Sequence, residues 1–236
     1  MPSPHALTQN YLLASFPKAD LQRIAPYLHL VPMLQGESLY ESGRKLNYIY
    51  FPTTSIVSLL CVLENGASVE VAVVGNDGLI GISLFMGGET TSSRAAVQST
   101  GFGYRLKAQL LKHEVKRAGP ILDHLLRYTQ ALITQMAQTA VCNRHHTIEQ
   151  QVCRSMLLRL DLLQSNSLIM THESIGHVLG VRRESITETA SNLQRAGIIS
   201  YTRGHITILN RNELEATACE CYKVVKLETD RLRACK

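Results

Sequence analysis

The sequence lacks any apolar run close to the ~20 residues that a membrane-spanning helix needs. Its longest apolar stretches, residues 55–62 and 69–74, have the length of strands. The N-terminus, Met1-Pro2-Ser3-Pro4-His5, also lacks the basic segment followed by an apolar segment that marks a secretory signal. We therefore expect a cytoplasmic protein with no membrane partner. Its composition, with 45% hydrophobic and 18% charged residues, is that of an ordinary globular protein.

Cysteine is present, but not in the spacing of a metal site. The six cysteines are Cys61, Cys142, Cys153, Cys219, Cys221 and Cys235. The one tight pair is Cys219-Glu220-Cys221, and a C-x-C without a second matched pair is a poor zinc signature. We therefore predict no metal, and we interpret His145-His146 as a surface pair at a helix junction. A thiol switch at Cys219 or Cys221 is an alternative, but plain packing explains these residues.

No catalytic constellation is found either. The nearest pattern is His172-Glu173-Ser174-Ile175-Gly176-His177, which is one residue longer than the H-E-x-x-H of zinc proteases. At ~100° per residue, its two histidines lie about 140° apart around a helix and cannot bind one ion from the same face. Since no nucleophile is paired with a base, the chain is predicted not to be an enzyme.

Short β-branched or aromatic runs separated by glycines occupy residues 36–107. They lie at residues 37–40, 48–51, 55–63, 68–74, 79–84, 94–98 and 101–106. Many short strands at this spacing indicate a barrel, roll or sandwich. Asn65-Gly66 between two apolar runs is the strongest hairpin signal. With the short helices predicted before residue 30, these strands define a first domain over residues 1–117.

After Lys107 the apolar period changes from two residues to about 3.6, which predicts a long helix. Its apolar stripe consists of Leu122, Leu125, Leu126, Thr129, Leu132, Ile133, Met136 and Ala140. Because one small roll cannot bury the whole stripe, we favour a seam with an identical partner. Residues 118–143 are thus interpreted as the dimerisation helix of a homodimer, and the alternative is an internal packing helix. A further helix is predicted over residues 148–163.

Residues 170–195 have the pattern of two helices joined by a tight turn. Thr171 can cap the first helix, and Gly180 can adopt the left-handed conformation that ends it. After Gly197, two β-branched runs flank Arg203-Gly204, which indicates a hairpin. The sequence therefore predicts a winged helix-turn-helix domain over residues 144–236. Its C-terminal helical extension carries an apolar stripe that is expected to cover the back of the winged domain.

The second helix and the hairpin carry side chains that can bind double-stranded DNA. Arginine can read guanine, glutamate can read cytosine, and threonine can contact a phosphate or a thymine methyl group. The predicted DNA-binding residues are Thr171, Arg182, Arg183, Glu184, Ser185, Thr187, Glu188, Arg203 and His205. The alternative is an interaction module that binds no DNA. It explains the buried residues equally well, but not the polar cluster at one helix start.

The order of roll, long helix and winged helix-turn-helix resembles the Crp–Fnr superfamily, the bacterial regulators related to the cAMP receptor protein. The resemblance is most specific at Ile175-Gly176…Leu179-Gly180-Val181-Arg182-Arg183-Glu184-Ser185-Ile186, where the family typically shows I-G-x-x-x-G followed by R-E-[ST]-[IV] or V-E-[ST]-[IV]. It implies an α+β fold with a cyclic-nucleotide-binding-like jelly roll, and a homodimer that binds an inverted repeat. Arg183 and Glu184 match base-reading positions, whereas Glu188 replaces a frequent arginine. An activator of this type would also contact RNA polymerase.

The region that matches the family's phosphate-binding cassette departs from the pattern. Cyclic-AMP-binding members have a glutamate that holds the ribose hydroxyl, and here Ile82 takes that place. The predicted effector pocket consists of Gly81, Ile82, Ser83, Ser92, Ser93 and Arg94. We expect no cAMP binding. Because no cysteine precedes Cys61, an iron–sulfur centre is not supported and no cofactor is predicted. An unidentified effector, control by abundance alone, and a sensor whose output is protein contact all remain open.

Overall fold

A computed structural model describes residues 7–163 and 165–234, so the N-terminal pentapeptide and Cys235 lie outside the described residues. Its N-terminal part consists of β-branched and aromatic runs, which fit a half-buried pleated surface. Two short helices, α1 (Tyr11–Ser15) and α2 (Lys18–Ile24), and a 3₁₀ turn (Ala25–Tyr27) come first. The strands are β1 (His29–Met33), β2 (Ser38–Tyr40), β3 (Tyr48–Pro52), β4 (Ile56–Val62), β5 (Ser68–Val74), β6 (Ser93–Ser99) and β7 (Gly101–Lys107).

These strands form two antiparallel sheets with the orders β1-β7-β3 and β2-β6-β4-β5. The roll has two apolar cores, and in one of them side chains from both sheets meet, where Met33 of β1 joins Val57 of β4 and Val97 of β6. The β4–β5 hairpin turns at Asn65-Gly66, where Gly66 has a φ of 83°. The predicted roll and its hairpin are therefore confirmed.

Two segments of the roll differ from the sequence prediction. Strand β1 was not predicted, because its mostly exposed residues and Pro32 lack an apolar alternation. Residues 79–84 were predicted as a strand, but they form only a bridge between Ile80 and Tyr50. The 3₁₀ helix Ile82–Leu84 follows, because Gly81 at φ 110° turns the chain away from the sheet.

Three helices connect the roll to the winged part. They are α3 (Ala108–Lys116), α4 (Pro120–His145) and α5 (Ile148–Leu163). Pro120 at the first position suits a helix start, because its missing N–H would be unpaired there. Leu125 and Leu132 of α4 are buried in the two apolar cores of the roll, so the long helix is fixed to the N-terminal part along one side.

The winged part follows in the predicted order. Its elements are β8 (Ser167–Ile169), α6 (His172–Leu179), α7 (Arg183–Arg195), β9 (Ile199–Thr202), β10 (His205–Ile208), α8 (Arg211–Thr217) and α9 (Glu220–Ala234). The strands pair antiparallel in the order β8-β10-β9. Ile186 and Leu193 of α7 pack with Leu157 of α5 and Ile206 of β10 in one core.

The C-terminal helix α9 reaches further than the back of the winged domain. Its Tyr222 hydroxyl donates a hydrogen bond to Asp161 of α5 at 2.9 Å. Near its other end, Arg233 forms an ion pair with Asp77 at 3.2 Å and lies over the ring of Tyr11. The sequence expectation was thus incomplete, since α9 also packs along α4 and contacts the roll. None of the described helices is long and apolar enough to cross a membrane.

A buried ion pair joins the roll to the winged part. Arg159 of α5 contacts Glu70 of β5 at 2.6 Å, and their side chains are only 2% and 10% exposed. The Ser58 hydroxyl donates to Glu70 and the Ser155 hydroxyl accepts from Arg159, whereas the Arg159 Nε atom has no hydrogen-bond partner among the described residues. We call these four residues the interdomain clasp, because it fixes where the helix-turn-helix lies relative to the roll.

Candidate DNA-binding surface

The conformation of α6 and of the turn that joins it to α7 is determined by residues close together in the sequence. The Thr171 hydroxyl caps α6 by accepting a hydrogen bond from the Ser174 N–H at 3.1 Å. Gly180 ends the helix with a φ of 68°, as the sequence predicts. A Cβ at Gly176 would lie 3.0 Å from the Val181 carbonyl oxygen. Glycine at this position therefore allows the close approach that sets the angle between the two helices.

Helix α7 buries one face and exposes its polar start. Ile186, Ala190 and Leu193 are buried. The predicted DNA-binding residues Arg182, Arg183, Glu184, Thr187 and Glu188 are exposed, and Ser185 is half-buried. Arg182 occupies the N-cap without a side-chain capping bond, so the first N–H groups of α7 keep their capacity to bind an anion.

His172 is a residue of this surface that the sequence interpretation missed. Its ring stacks on Tyr201 of β9 at a centroid distance of 4.2 Å. Its Nδ1 lies 2.9 Å from the Thr187 hydroxyl, which also donates to the Arg183 carbonyl oxygen. His172 thus connects α6, α7 and the wing. The intramolecular bonds of Thr187 make its hydroxyl less available for DNA than the sequence suggests.

The wing is a two-residue hairpin turn. Arg203 and Gly204 have φ values of 47° and 86°, which match the turn type that best fits the strand twist. Arg203 and His205 are exposed. A Cβ at Gly204 would lie 3.5 Å from the Thr171 methyl group, so the cap of α6 is beside the wing turn. The predicted residues at Thr171, at the start of α7 and in the wing therefore form one continuous surface.

The predicted effector residues lie at two places in the roll. Gly81, Ile82 and Ser83 form the turn before strand β6, and Ile82 packs against the cores of the roll. Ser92, Ser93 and Arg94 lie at the start of β6. The Arg94 Nε atom is 3.4 Å from a carboxylate oxygen of Glu41, so its charge already has a neighbour of opposite sign.

A cavity of about 280 Å³ lies elsewhere, between α1, α4 and α9. Asp77, His124, Arg127 and Arg233 contribute its charged or titratable groups, and Tyr128 and Leu132 part of its apolar wall. Burial raises the pKa of Asp77, although the charge of Arg233 opposes this effect. No sequence pattern indicates this cavity, because its walls come from elements far apart in the chain.

The long helix α4 presents two different faces. Leu125, Thr129 and Leu132 of the predicted apolar stripe are buried within this chain. Leu126 and Ile133 are 51% and 54% exposed. The stripe that the sequence shows as one feature is therefore divided between internal packing and an uncovered face.

Comparison with known proteins agrees with this architecture. The model of a Crp-like helix-turn-helix domain matches residues 150–217. No curated protein sequence matches the chain. Among solved structures, a protein from Eubacterium rectale described as a transcriptional regulator of the Crp/Fnr family has 17% sequence identity and a TM-score of 0.70. That alignment covers 89% of this chain and 98% of the other.

Two further solved structures share the fold. FixK2 from Bradyrhizobium japonicum is 17% identical with a TM-score of 0.69, over 81% of this chain and 98% of that chain. The c-di-GMP-responsive global regulator CLP from Xanthomonas campestris is 13% identical with a TM-score of 0.64, over 82% and 100%. The Eubacterium rectale protein and CLP are both described as regulators. The chain thus combines a Crp-like helix-turn-helix domain with the fold of Crp/Fnr-family transcriptional regulators.

Proposed function

We propose that the protein is a homodimer whose two α7 helices bind the halves of an inverted repeat in double-stranded DNA. The observation that carries this proposal is the continuous exposed surface formed by Thr171, the start of α7 and the wing turn. Arg182, Arg183 and Arg203 place positive charge on that surface, and the uncapped N–H groups of α7 complement a phosphate. Arg183 and Glu184 are proposed to contact base edges in the major groove.

The uncovered face of α4 supports the dimer. Its exposed positions with heptad spacing are Leu126, Gln130, Ile133, Ala137, Ala140 and Arg144. A seven-residue repeat allows two helices to pack along a shared seam. A two-fold axis along this seam would present the two α7 helices to successive major grooves about 34 Å apart. The expected target is therefore an inverted repeat.

The dimer can be tested by introducing charged residues on the exposed face of α4. Leu126→Glu combined with Ile133→Glu should give a monomer in analytical ultracentrifugation and weaken binding to a palindromic site. Genome-wide mapping with purified protein would supply that site. Leu63→Glu is a matched control, since Leu63 is 61% exposed in the β4–β5 hairpin, and it should remain dimeric. A monomeric wild-type protein that bound one half-site as tightly as the full repeat would contradict the proposal.

We propose that any effector site of the roll does not accept cAMP. Ile82 packs inside the roll and cannot accept a hydrogen bond from a ribose hydroxyl, and Glu41 lies against Arg94. Calorimetric titration should show no cAMP binding, and a micromolar dissociation constant would contradict this. Because the regulator CLP is c-di-GMP-responsive, c-di-GMP should be titrated in parallel. The same features also favour a regulator controlled by its own abundance.

Contact with RNA polymerase is the remaining part of the proposal, and it applies if the protein is an activator. Transcription in vitro from a promoter that carries the mapped repeat would then rise when the dimer is added. A fall in transcription on the same template would assign repression instead.

A further inference from the structure

Four potential metal ligands that are far apart in the sequence meet at the junction of the long helix and the winged domain. Cys142 and His146 lie one turn apart at the end of α4, and Cys219 and Cys221 lie at the start of α9. Their ligand atoms are all within 4.8 Å of one another. The three thiols are buried, and the His146 side chain is only 13% exposed. His146 is therefore not the surface residue that the sequence suggested.

We propose that Cys142, His146, Cys219 and Cys221 bind one structural zinc ion. Three thiolates and one imidazole are a common ligand set of closed, four-coordinate zinc sites. In the sequence, the Cys219-Glu220-Cys221 pair lies more than 70 residues from Cys142 and His146. The four side chains meet only because α9 packs against the last turn of α4.

Two of the distances between the ligand atoms match those of a tetrahedral zinc site. With Zn–S bonds of about 2.3 Å and Zn–N bonds of about 2.0 Å, neighbouring ligand atoms are roughly 3.5–3.8 Å apart. The Sγ atoms of Cys142 and Cys219 are 3.5 Å apart, and the Sγ atom of Cys221 is 3.6 Å from Nδ1 of His146. The first distance is also much longer than the roughly 2.05 Å of a disulfide. The other four distances are at most 4.8 Å, and their contraction by up to about 1 Å on metal binding would complete the coordination sphere.

The surroundings of the cluster supply what a zinc site requires. The Nε2 atom of His146 lies 3.2 Å from a carboxylate oxygen of Glu220. A zinc-bound histidine usually donates its other N–H to such a group, which fixes the ring. Gln151 donates to the carbonyl oxygens of Cys142 and His146 and holds the last turn of α4.

Charge balance also favours a cation at this place. On binding, three Zn–S bonds and one Zn–N bond form, and the three thiol protons pass to solvent. One divalent cation with three thiolates leaves a single negative charge. The buried Arg154 guanidinium interacts electrostatically with Cys142 and Cys221, and its Nε atom has no hydrogen-bond partner among the described residues. It can offset that charge.

The experiment measures metal directly, so its outcome does not depend on DNA binding. Purified full-length protein, reconstituted with ZnCl₂ under reducing conditions, should contain one zinc per chain by mass spectrometry of metals. X-ray absorption of this sample should show three sulfur ligands and one nitrogen. Absence of zinc, a shell of oxygen and nitrogen only, or iron in its place would overturn the proposal.

Variants then assign the ligands. The Cys219→Ser variant should contain less than one zinc per chain. The Cys221→His variant still offers a zinc ligand at that position and should retain one zinc per chain. Cys153→Ala is the matched control, because Cys153 is fully buried in the neighbouring core but lies outside the cluster. Chelation should lower the melting temperature of the wild type and the control. Equal zinc content in Cys219→Ser and wild type would overturn the assignment, and the wild-type spectrum decides the matter if a variant does not fold.

Discussion

At the scale of single residues, Arg183 is expected to carry sequence information. Its side chain is exposed in the first turn of α7, from which an arginine can make two hydrogen bonds to guanine. Arg183→Ala should cost about 1–3 kcal/mol of binding free energy at the cognate repeat and relax the preference at one base position. Competition binding with all four bases at each position measures both effects. Equal losses on cognate and random DNA would show that Arg183 contacts only the backbone.

Arg203 provides the contrasting case on the same surface. It lies at the tip of the wing with a positive φ, and a phosphate is its expected contact. Arg203→Ala should weaken the binding of cognate and of random DNA by the same factor. It should also reduce the dependence of log K on log salt by roughly 0.9, the value for one phosphate contact. A loss confined to the cognate sequence would argue against this role.

The residues that could be predicted from the sequence are those whose conformation depends on neighbours along the chain. Thr171, Gly180 and the Arg203-Gly204 turn belong to this group, because a cap or turn needs only a few consecutive residues. His172 and Arg159 have roles that depend on partners dozens of residues away. No spacing rule connects His172 to Tyr201, or Arg159 to Glu70, until the elements have packed.

At the scale of elements, the long helix shows where periodicity stops being informative. The stripe from Leu122 to Ala140 correctly predicts a helix, and the structure begins it at Pro120. A periodic pattern marks apolar positions but does not say which partner covers each one. Helix α4 buries Leu125 and Leu132 within the chain and leaves Leu126 and Ile133 uncovered. The homodimer therefore stays a prediction, now based on a narrower face.

The contact between α6, α7 and the wing should make stability depend on pH. Partial burial, and next the positive charge of Arg183, lower the pKa of His172 below its usual 6.5. The unfolded chain therefore binds a proton at a higher pH than the folded one. The contribution of His172 to the free energy of unfolding should be fully present above about pH 6.5. It should decrease as the pH falls from the pKa of the unfolded chain toward that of the folded protein. Melting temperatures between pH 8 and pH 5 measure this decrease.

A substitution isolates the contribution of His172 from that of other groups. Burial also lowers the pKa of His124, so the wild-type curve contains at least two histidines. His172→Gln cannot titrate and should flatten the fall in melting temperature on the acidic side. His113→Gln, at an exposed position on α3, is the control and should leave the curve unchanged. If both variants followed the wild type, the stacking of His172 on Tyr201 would not be linked to its protonation.

At the scale of the whole molecule, the interdomain clasp determines whether the roll and the winged domain unfold together. Arg159→Leu leaves the carboxylate of Glu70 buried without its cation, which typically costs about 3–5 kcal/mol. We expect a lower urea midpoint and a separation of unfolding into two transitions, reported by tyrosine fluorescence and by circular dichroism.

The double variant tests whether the clasp stabilises the protein or only positions its domains. Arg159→Leu combined with Glu70→Leu removes both buried charges, so it should be more stable than Arg159→Leu alone, because no charge is left uncompensated. Its two transitions should nevertheless remain separate, since the hydrogen-bonded link between α5 and β5 is absent. Lys45→Leu, which breaks an ion pair of exposed side chains with Glu89, is the control and should cost less than about 1 kcal/mol. A double variant less stable than the wild type would mean that the ion pair is a net source of stability, and a double variant as stable as the wild type would mean that the clasp only positions the two domains.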